Sequence, residues 1–167
     1  MLRPRGKGDD SAMMHLAEFN FGTLRYPWDD PRLADFQNGL DRVNAIGARS
    51  PGFVWRLPDD AMEAAQEDPN GPLADRPNTA STLSVWTGAA PLYHFAMKTL
   101  HARFMARQDE WFVPGDSGYL VCWWVPVGDR PSVADGMSRW RDLQAYGETK
   151  DVFGSKGLAD FARREAA

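Results

Sequence analysis

The chain has 167 residues, of which 43% are hydrophobic and 25% are charged, and its formal net charge is −4 at pH 7. This length is typical of one domain that buries a full core, and this composition excludes a disordered or collagen-like chain. The net negative charge disfavours a protein that grips the phosphates of nucleic acid. The single cysteine, Cys122, leaves no intrachain disulfide and favours a reducing, cytoplasmic compartment.

The N-terminal region has none of the apolar pattern of a signal peptide. Residues 1–14 carry glycines and charges, so we expect a disordered leader, and deletion of residues 1–13 should leave the fold intact. The longest apolar run, residues 119–127, is about half of the ~20 residues that cross a bilayer. We therefore expect no membrane segment.

The first half of the chain predicts a strand, a helix and a second strand. Residues 15–24 alternate between apolar and polar side chains, which is the period of a strand. Asp30 before Pro31 is a helix-start signal, and apolar residues at spacings of three and four follow it to Gly47. Residues 53–57 (FVWRL) are rich in aromatic and branched side chains and predict the second strand.

The second half predicts two strands and two helices after an acidic connection. Residues 58–78 are acidic and hold four prolines, so we expect an excursion over the surface. Residues 79–87 predict the third strand, and a helical pattern follows from Gly88 to Phe112 with a break near Thr99. The remaining elements are a strand at 118–127 that is apolar on both faces, a helix from a capping box at Ser132 and Asp135 to Gly147, and a short helix at 158–164.

This order of elements predicts an α+β fold of the ferredoxin-like type. The plan is βαββαβ with an extra C-terminal helix, in one domain over residues 15–153 followed by a tail at 154–167. A lone ferredoxin-like sheet covers only one face with helices, whereas the fourth strand is apolar on both. We therefore expect a homodimer in which two sheets pack face to face.

Several sequence blocks resemble a bacterial family. These are LAEFNFGTL, DRVNAIGARSPGFVWRL, TLSVWTG, the HxRxxxRxxxWF pattern at 101–112, WWVPVG and PSVADG. In this order they resemble the family called domain of unknown function 3291, which is similar to the dimeric α+β barrel superfamily of antibiotic-biosynthesis monooxygenases and of haem-degrading or haem-using enzymes. The resemblance implies a dimeric α+β barrel and a monooxygenase-like activity, although a fold constrains a reaction only weakly.

Two histidines are the first candidates for chemistry, because the strongly signalled nucleotide, triad and zinc motifs are missing from the sequence. His94 and His101 are two helical turns apart, which is too far for them to share one metal ion easily. Each has a plain structural interpretation as a helix cap or a packed ring. His101 is favoured as a base because Arg103 and Arg107 follow it, and neighbouring cations keep an imidazole neutral.

The strands supply a second group of candidates. Strand alternation brings Asn20, Arg56, Ser84, Trp86 and Trp124 to one sheet face opposite the second helix. Asn20 and Arg56 then need partners, which are each other, Glu18, another acidic residue or a ligand. In the barrels that the resemblance points to, a strand-one Asn, a strand-three Trp and a helix His line the pocket, which implies roles for Asn20, Trp86 and His101 or His94.

These candidates lead to three functional hypotheses. The first is a small enzyme, without a bound cofactor or metal, that acts on a hydrophobic, aromatic molecule as a monooxygenase, with His101, Asn20 and Trp86 as catalytic residues. The alternatives are haem binding through a neutral histidine and a non-catalytic dimer that binds a small apolar ligand. The residues expected to bind substrate are Arg56, His94, Arg107, Trp111 and Trp124.

Overall fold

A single antiparallel sheet organises the chain. The computed structural model describes residues 13–116 and 119–167. Its strands are β1 (Met14–Thr23), β2 (Phe53–Arg56), β3 (Thr79–Trp86), β4 (Tyr119–Pro126) and β5 (Val152–Phe153). Their order across the sheet is β2-β3-β1-β4-β5, and every neighbouring pair is antiparallel. The long strands β1, β3 and β4 therefore lie inside the sheet.

Seven helices surround the sheet in the described part of the chain. They are α1 (Ala34–Arg49), α2 (Asp59–Glu67), α3 (Ala89–Lys98), α4 (Leu100–Met105), α5 (Gln108–Trp111), α6 (Val133–Tyr146) and α7 (Ser155–Ala166), and a 3₁₀ turn at Pro31–Leu33 precedes α1. The residues predicted to start two of these helices cap them in the structure. Asp30 accepts a hydrogen bond from the Arg32 amide, and Ser132 and Asp135 form the predicted capping box of α6.

The predicted strands are present to within one residue at each end, and the mixed α+β class is confirmed. The helix predicted from Pro31 is also present, although its first turn is the 3₁₀ turn and α1 itself begins at Ala34. The expected break is also present, because Thr99 has an extended backbone between α3 and α4. Two elements were not predicted, α2 and the two-residue strand β5. The short C-terminal helix begins earlier and ends later than the pattern at 158–164 indicated.

The two faces of the sheet have different covers. On one face, which we call the α6 face, Ala17, Phe19 and Val121 pack in a cluster with Val133 and Met137 of α6. The opposite face, which we call the Glu18 face, carries the alternate residues of the same strands. Two apolar clusters cover its ends: one is formed with α3 and α7, and the other with α1, α4 and α5.

The acidic connection at 58–78 is more than a surface excursion, and this corrects the prediction. Met62 of α2 and Leu73 are buried in the cluster on the α6 face. This segment packs on β3 and α6 packs on β4, so the α6 face of the sheet is covered inside the same chain. The reason for expecting a face-to-face homodimer is therefore removed, because no apolar face of β4 needs a second copy to cover it. The oligomeric state itself stays a prediction.

The C-terminal segment is part of the domain, and the predicted tail at 154–167 is wrong. Leu158 and Ala162 of α7 are buried against the sheet. The Glu165 carboxylate also accepts hydrogen bonds from the Ala89 and Ala90 amides at the start of α3. This contact satisfies two of the free amides that every helix start leaves, so α7 stabilises α3 directly.

Two further expectations concern the ends and the surroundings of the chain. The predicted leader at 1–14 lies outside the described residues except for Met13 and Met14. Among the helices of residues 13–116 and 119–167, none combines the length and the apolar character that crossing a bilayer demands.

Candidate functional site

A polar row crosses the middle of the Glu18 face. The strand register aligns Arg56 of β2 with Ser84 of β3, Ser84 with Glu18 of β1, and Glu18 with Cys122 of β4. Residues directly opposite in an antiparallel sheet share a face. The neighbouring rows contain the other strand candidates. Asn20 lies between Thr82 and Leu120 on one side of the polar row, and Leu16 lies between Trp86 and Trp124 on the other.

Glu18 is the centre of a buried hydrogen-bond network. The Ser84 hydroxyl donates to Glu18 Oε1 at 2.7 Å, and Asn20 Nδ2 donates to Glu18 Oε2 at 2.9 Å. Trp86 Nε1 donates to Ser84 Oγ at 2.9 Å, and Asn20 Nδ2 also donates to Thr82 Oγ1 at 2.6 Å. The network thus joins the rows on both sides of Glu18, and it includes two of the three predicted catalytic residues.

The carboxyl group of Glu18 has an unusual protonation equilibrium. Its side chain is only 4% exposed, and burial raises its pKa from 4.5 to about 7, although the hydrogen bonds from Ser84 and Asn20 lower it. The balance is uneven because two donors replace only part of the hydration that the carboxylate loses. Near pH 7 the group therefore exists in both protonation states, which is the condition for efficient general acid–base catalysis.

A series of rings connects the network to α4. Phe95 of α3 stacks on Trp86 with ring centroids 5.2 Å apart, and the His101 ring lies 4.9 Å from Phe95. His101 Nδ1 is 3.0 Å from the Ala96 carbonyl oxygen, and burial lowers the pKa of the imidazole despite this hydrogen bond. His101 is therefore neutral at pH 7. Phe95 thus links the His101 ring to the Trp86 end of the Glu18 network.

The helix break at Thr99 is made by side chains. The Thr99 hydroxyl donates to the Phe95 carbonyl at 2.5 Å, and His101 Nδ1 forms a hydrogen bond with the Ala96 carbonyl. These two bonds satisfy carbonyls that the end of α3 would otherwise leave free. The present role of His101 is thus to cap α3, which is the plain structural interpretation of this residue.

The substrate-binding candidates do not assemble around Glu18. Arg56 forms an ion pair with Asp59 at 2.6 Å, and His94 is exposed on α3. Arg107 binds Asp35 and Glu110 on the surface.

Two predicted tryptophans have packing roles. Trp111 is buried among Phe36 and Phe104 in the cluster under α1 and α4. Trp124 lies under α7, where its indole nitrogen donates to the Lys150 carbonyl at 3.1 Å. Core packing and local hydrogen bonds account for both rings.

The surroundings of His101 do not fit haem. Two clefts of about 480 and 260 Å³ open on the described surface, and His101 lines neither. The first lies between residues 148–150 and α7, and the second lies beside Trp123 and Arg130. A macrocycle needs a slot beside its axial ligand, and the His101 ring instead packs on Phe95. Within 13–116 and 119–167, no group of three potential metal ligands comes together either.

The sequence contained a signal for Glu18 that the predictions used only in part. Glu18 was considered as a partner for Asn20, and that contact is present. The stronger inference follows from its position: a glutamate in the middle of an interior strand is buried if helices cover both faces of the sheet, as they do here. Thr82, which accepts from Asn20, had no distinguishing sequence signal, because threonine is common in strands.

Comparison with known proteins places the chain in a family. Residues 15–166 match the family described as "Domain of unknown function (DUF3291)". The chain belongs to this family. No curated protein is similar enough to the chain to count as a relative.

A solved structure is also similar to this DUF3291 protein. It is the crystal structure of NE2512, a protein of unknown function from Nitrosomonas europaea, which shares 13% identity with a TM-score of 0.47. The similarity covers 72% of this chain and 98% of the other.

Proposed function

We propose that this protein is a small enzyme that removes a proton from a hydrophobic, aromatic molecule, with Glu18 as the general base. The observation that carries the proposal is the buried Glu18 carboxyl with a pKa of about 7, held by Ser84 and Asn20. Strongly perturbed carboxyl groups with fixed partners are concentrated at functional sites. Glu18 is preferred to His101 in this role, because Ser84 and Asn20 hold its carboxyl inside the sheet, whereas His101 contacts the Ala96 carbonyl and the Phe95 ring.

The site would lie between the sheet and the helices at the break. Phe95 of α3 packs near Gly47 of α1, and Phe104 of α4 packs near Gly39 of the same helix. The break at Thr99 lies between Phe95 and Phe104 in the chain. On the sheet, the polar row lies between the two apolar clusters of the Glu18 face, which contain these two rings. We place the substrate beside the polar row, beneath this break.

The finer proposal is a monooxygenase that needs no bound cofactor. A CH₂ group beside an aromatic ring would lose a proton to Glu18, and the carbanion would form a bond to dioxygen. Protonation gives a hydroperoxide, and loss of water from it leaves a carbonyl in place of the CH₂ group. The protein would supply the base and a dry site, and the donors Ser84 and Asn20 would hold the carboxyl in place.

We also propose a ferredoxin-like fold for residues 14–126. The order β2-β3-β1-β4 and the helical crossovers between β1 and β2 and between β3 and β4 support it. The dimeric barrel has no comparable support, because α6 and the 58–78 segment occupy the face that a second sheet would take.

The test is dioxygen uptake with a panel of aromatic compounds that carry an acidic CH₂ group between two rings. We expect kcat/KM for the wild-type protein to rise with pH through about 7, because the base must be ionised. Glu18→Gln should lower kcat by about 10²-fold or more. Glu63→Gln, an exposed residue of α2, is the matched control and should leave the rate unchanged.

His101→Ala separates this proposal from its competitor. If Glu18 is the base, His101→Ala should be less stable than the wild-type protein, because α3 loses a cap. Its kcat/KM should keep the pH dependence of the wild-type protein. A wild-type rate in Glu18→Gln, together with a lost rate in His101→Ala, would return the catalytic role to the histidine. Binding of aromatic compounds without any turnover would favour the non-catalytic alternative.

A further inference from the structure

Three residues in the middle of the Glu18 face are less buried than their surroundings. They are Thr82, Asn20 and Leu120, which lie opposite one another on β3, β1 and β4 and are all half-buried. The rows on both sides are buried: Ser84, Glu18 and Cys122 on one side, and Ala80 and Gly22 on the other. The edge strands β2 and β5 end before this row, so Thr82 and Leu120 have no outer strand neighbour. Asn20 lies on the central strand β1, so its exposure comes from incomplete helical cover of the Glu18 face, and we call this place the mouth.

The mouth leads directly to the proposed base. Asn20 Nδ2 contacts both Glu18 Oε2 and Thr82 Oγ1, so one side chain connects the buried carboxyl to the half-buried row. A molecule seated on Thr82 and Asn20 is therefore next to Glu18.

The hydrogen bonds of the network leave two groups unused at this mouth. Asn20 commits both of its amide hydrogens, one to Glu18 and one to Thr82. Thr82 Oγ1 accepts from Asn20, and its own hydroxyl hydrogen has no acceptor within the described residues. Asn20 Oδ1 likewise has no donor in that part of the chain. The mouth thus offers one free donor, Thr82 O–H, beside one free acceptor, Asn20 Oδ1.

We propose that the mouth binds the hydroxyl group of a planar aromatic ligand, and that Thr82 selects it. The ligand oxygen would accept from the Thr82 hydroxyl and donate to Asn20 Oδ1, while Leu120 contacts the ring. Neighbouring strands are about 4.8 Å apart, so the three residues span roughly 10 Å, which suits one or two fused rings. This inference rests on the proposed function for the location of the reaction and adds the chemical class of the ligand.

The expected selectivity follows from the cost of unpaired polar groups. A site built to bond a hydroxyl discriminates against an analogue that lacks it, because its own donor and acceptor lose water without gaining a partner. We expect an aromatic ring without a hydroxyl to bind at least tenfold more weakly than its hydroxylated counterpart.

The experiment is a binding titration followed by tryptophan fluorescence, with Trp86 close to the site. The probes are 1-naphthol, naphthalene and 1-methoxynaphthalene, which has the oxygen but no hydrogen to donate. We expect 1-naphthol to bind most tightly, and each of the other two to lose tenfold or more in Kd. Equal affinity for naphthol and naphthalene, or no binding of naphthol at all, would overturn the proposal.

Variants of Thr82 test its role directly. Thr82→Val removes the hydroxyl with little change of shape and should weaken naphthol binding about tenfold without affecting naphthalene. Thr82→Ser keeps the hydroxyl and the acceptor for Asn20, so it should bind naphthol like the wild-type protein. Thr87→Val makes the same substitution at an exposed position just after β3 and should change nothing. Wild-type affinity in a folded Thr82→Val protein would refute the assignment.

Glu18→Gln separates this inference from the proposed function. The variant should still bind naphthol and lose turnover. Tight naphthol binding, without turnover of any hydroxylated aromatic compound by the wild-type protein, would overturn the catalytic proposal and leave the ligand class intact. Glu18-dependent turnover restricted to compounds without a hydroxyl would overturn the ligand class and leave the catalytic proposal intact.

Discussion

The buried carboxyl of Glu18 predicts an unusual dependence of stability on pH. Its pKa rises from 4.5 in the unfolded chain to about 7 in the folded protein. Between these two values the folded state binds the proton more tightly than the unfolded state, so the free energy of unfolding falls as pH rises. The stabilising effect is complete below about pH 4.5 and is lost as pH rises through about 7. Paired surface carboxylates, whose folded pKa is lowered, produce the opposite trend.

The size of the effect follows from the same two values. Each whole step in pKa corresponds to about 1.4 kcal/mol, so ionised Glu18 costs the folded protein about 3 kcal/mol relative to the protonated form. Glu18→Gln removes the titration and keeps a neutral side chain of similar shape. The variant should therefore gain stability relative to the wild-type protein by about 2 to 3 kcal/mol between pH 5 and pH 8.

The assay is urea unfolding of both proteins at fixed pH values, followed by tryptophan fluorescence. Glu63→Gln, on the exposed surface of α2, should follow the wild-type curve at every pH. Ser84→Ala removes one donor to the carboxylate, which raises the pKa of Glu18 further. The loss of stability with rising pH should therefore extend to higher pH in this variant than in the wild-type protein. A constant difference between wild type and Glu18→Gln from pH 5 to pH 8 would show that Glu18 titrates near its ordinary value and refute the reasoning.

Three further predictions concern packing and capping. Gly136→Ala should destabilise the fold by about 1–3 kcal/mol in urea unfolding, because the added methyl would come within 2.7 Å of the buried Phe19 ring. Glu165→Ala should lower the stability by about 1 kcal/mol, since α3 loses the carboxylate at its first amides; an unchanged unfolding midpoint would contradict this role. Truncation after residue 153 should abolish cooperative unfolding, as monitored by near-ultraviolet circular dichroism, because the clusters beneath Leu158 and Ala162 become exposed.

Local sequence patterns were sufficient to predict most elements of this fold. The alternation of β1, the proline and aspartate at the start of α1 and the capping box of α6 depend on contacts between residues close in sequence. The elements that sequence analysis missed depend on distant contacts. The helix α2 lies in an acidic, proline-rich segment, and it is held by Met62 in the core below. The strand β5 has only two residues and exists because β4 offers it a partner.

The same division applies to the candidate site. Alternation alone placed Asn20, Trp86 and Arg56 on one sheet face, because the side-chain period of a strand is two. It did not decide which groups are buried together. Strand register brought Ser84 opposite Glu18, and the cover of helices on both faces removed that carboxyl from water, which is the physical cause of its raised pKa. His101 was the best candidate in the sequence, and in the structure its Nδ1 lies on the Ala96 carbonyl at the end of the preceding helix, α3.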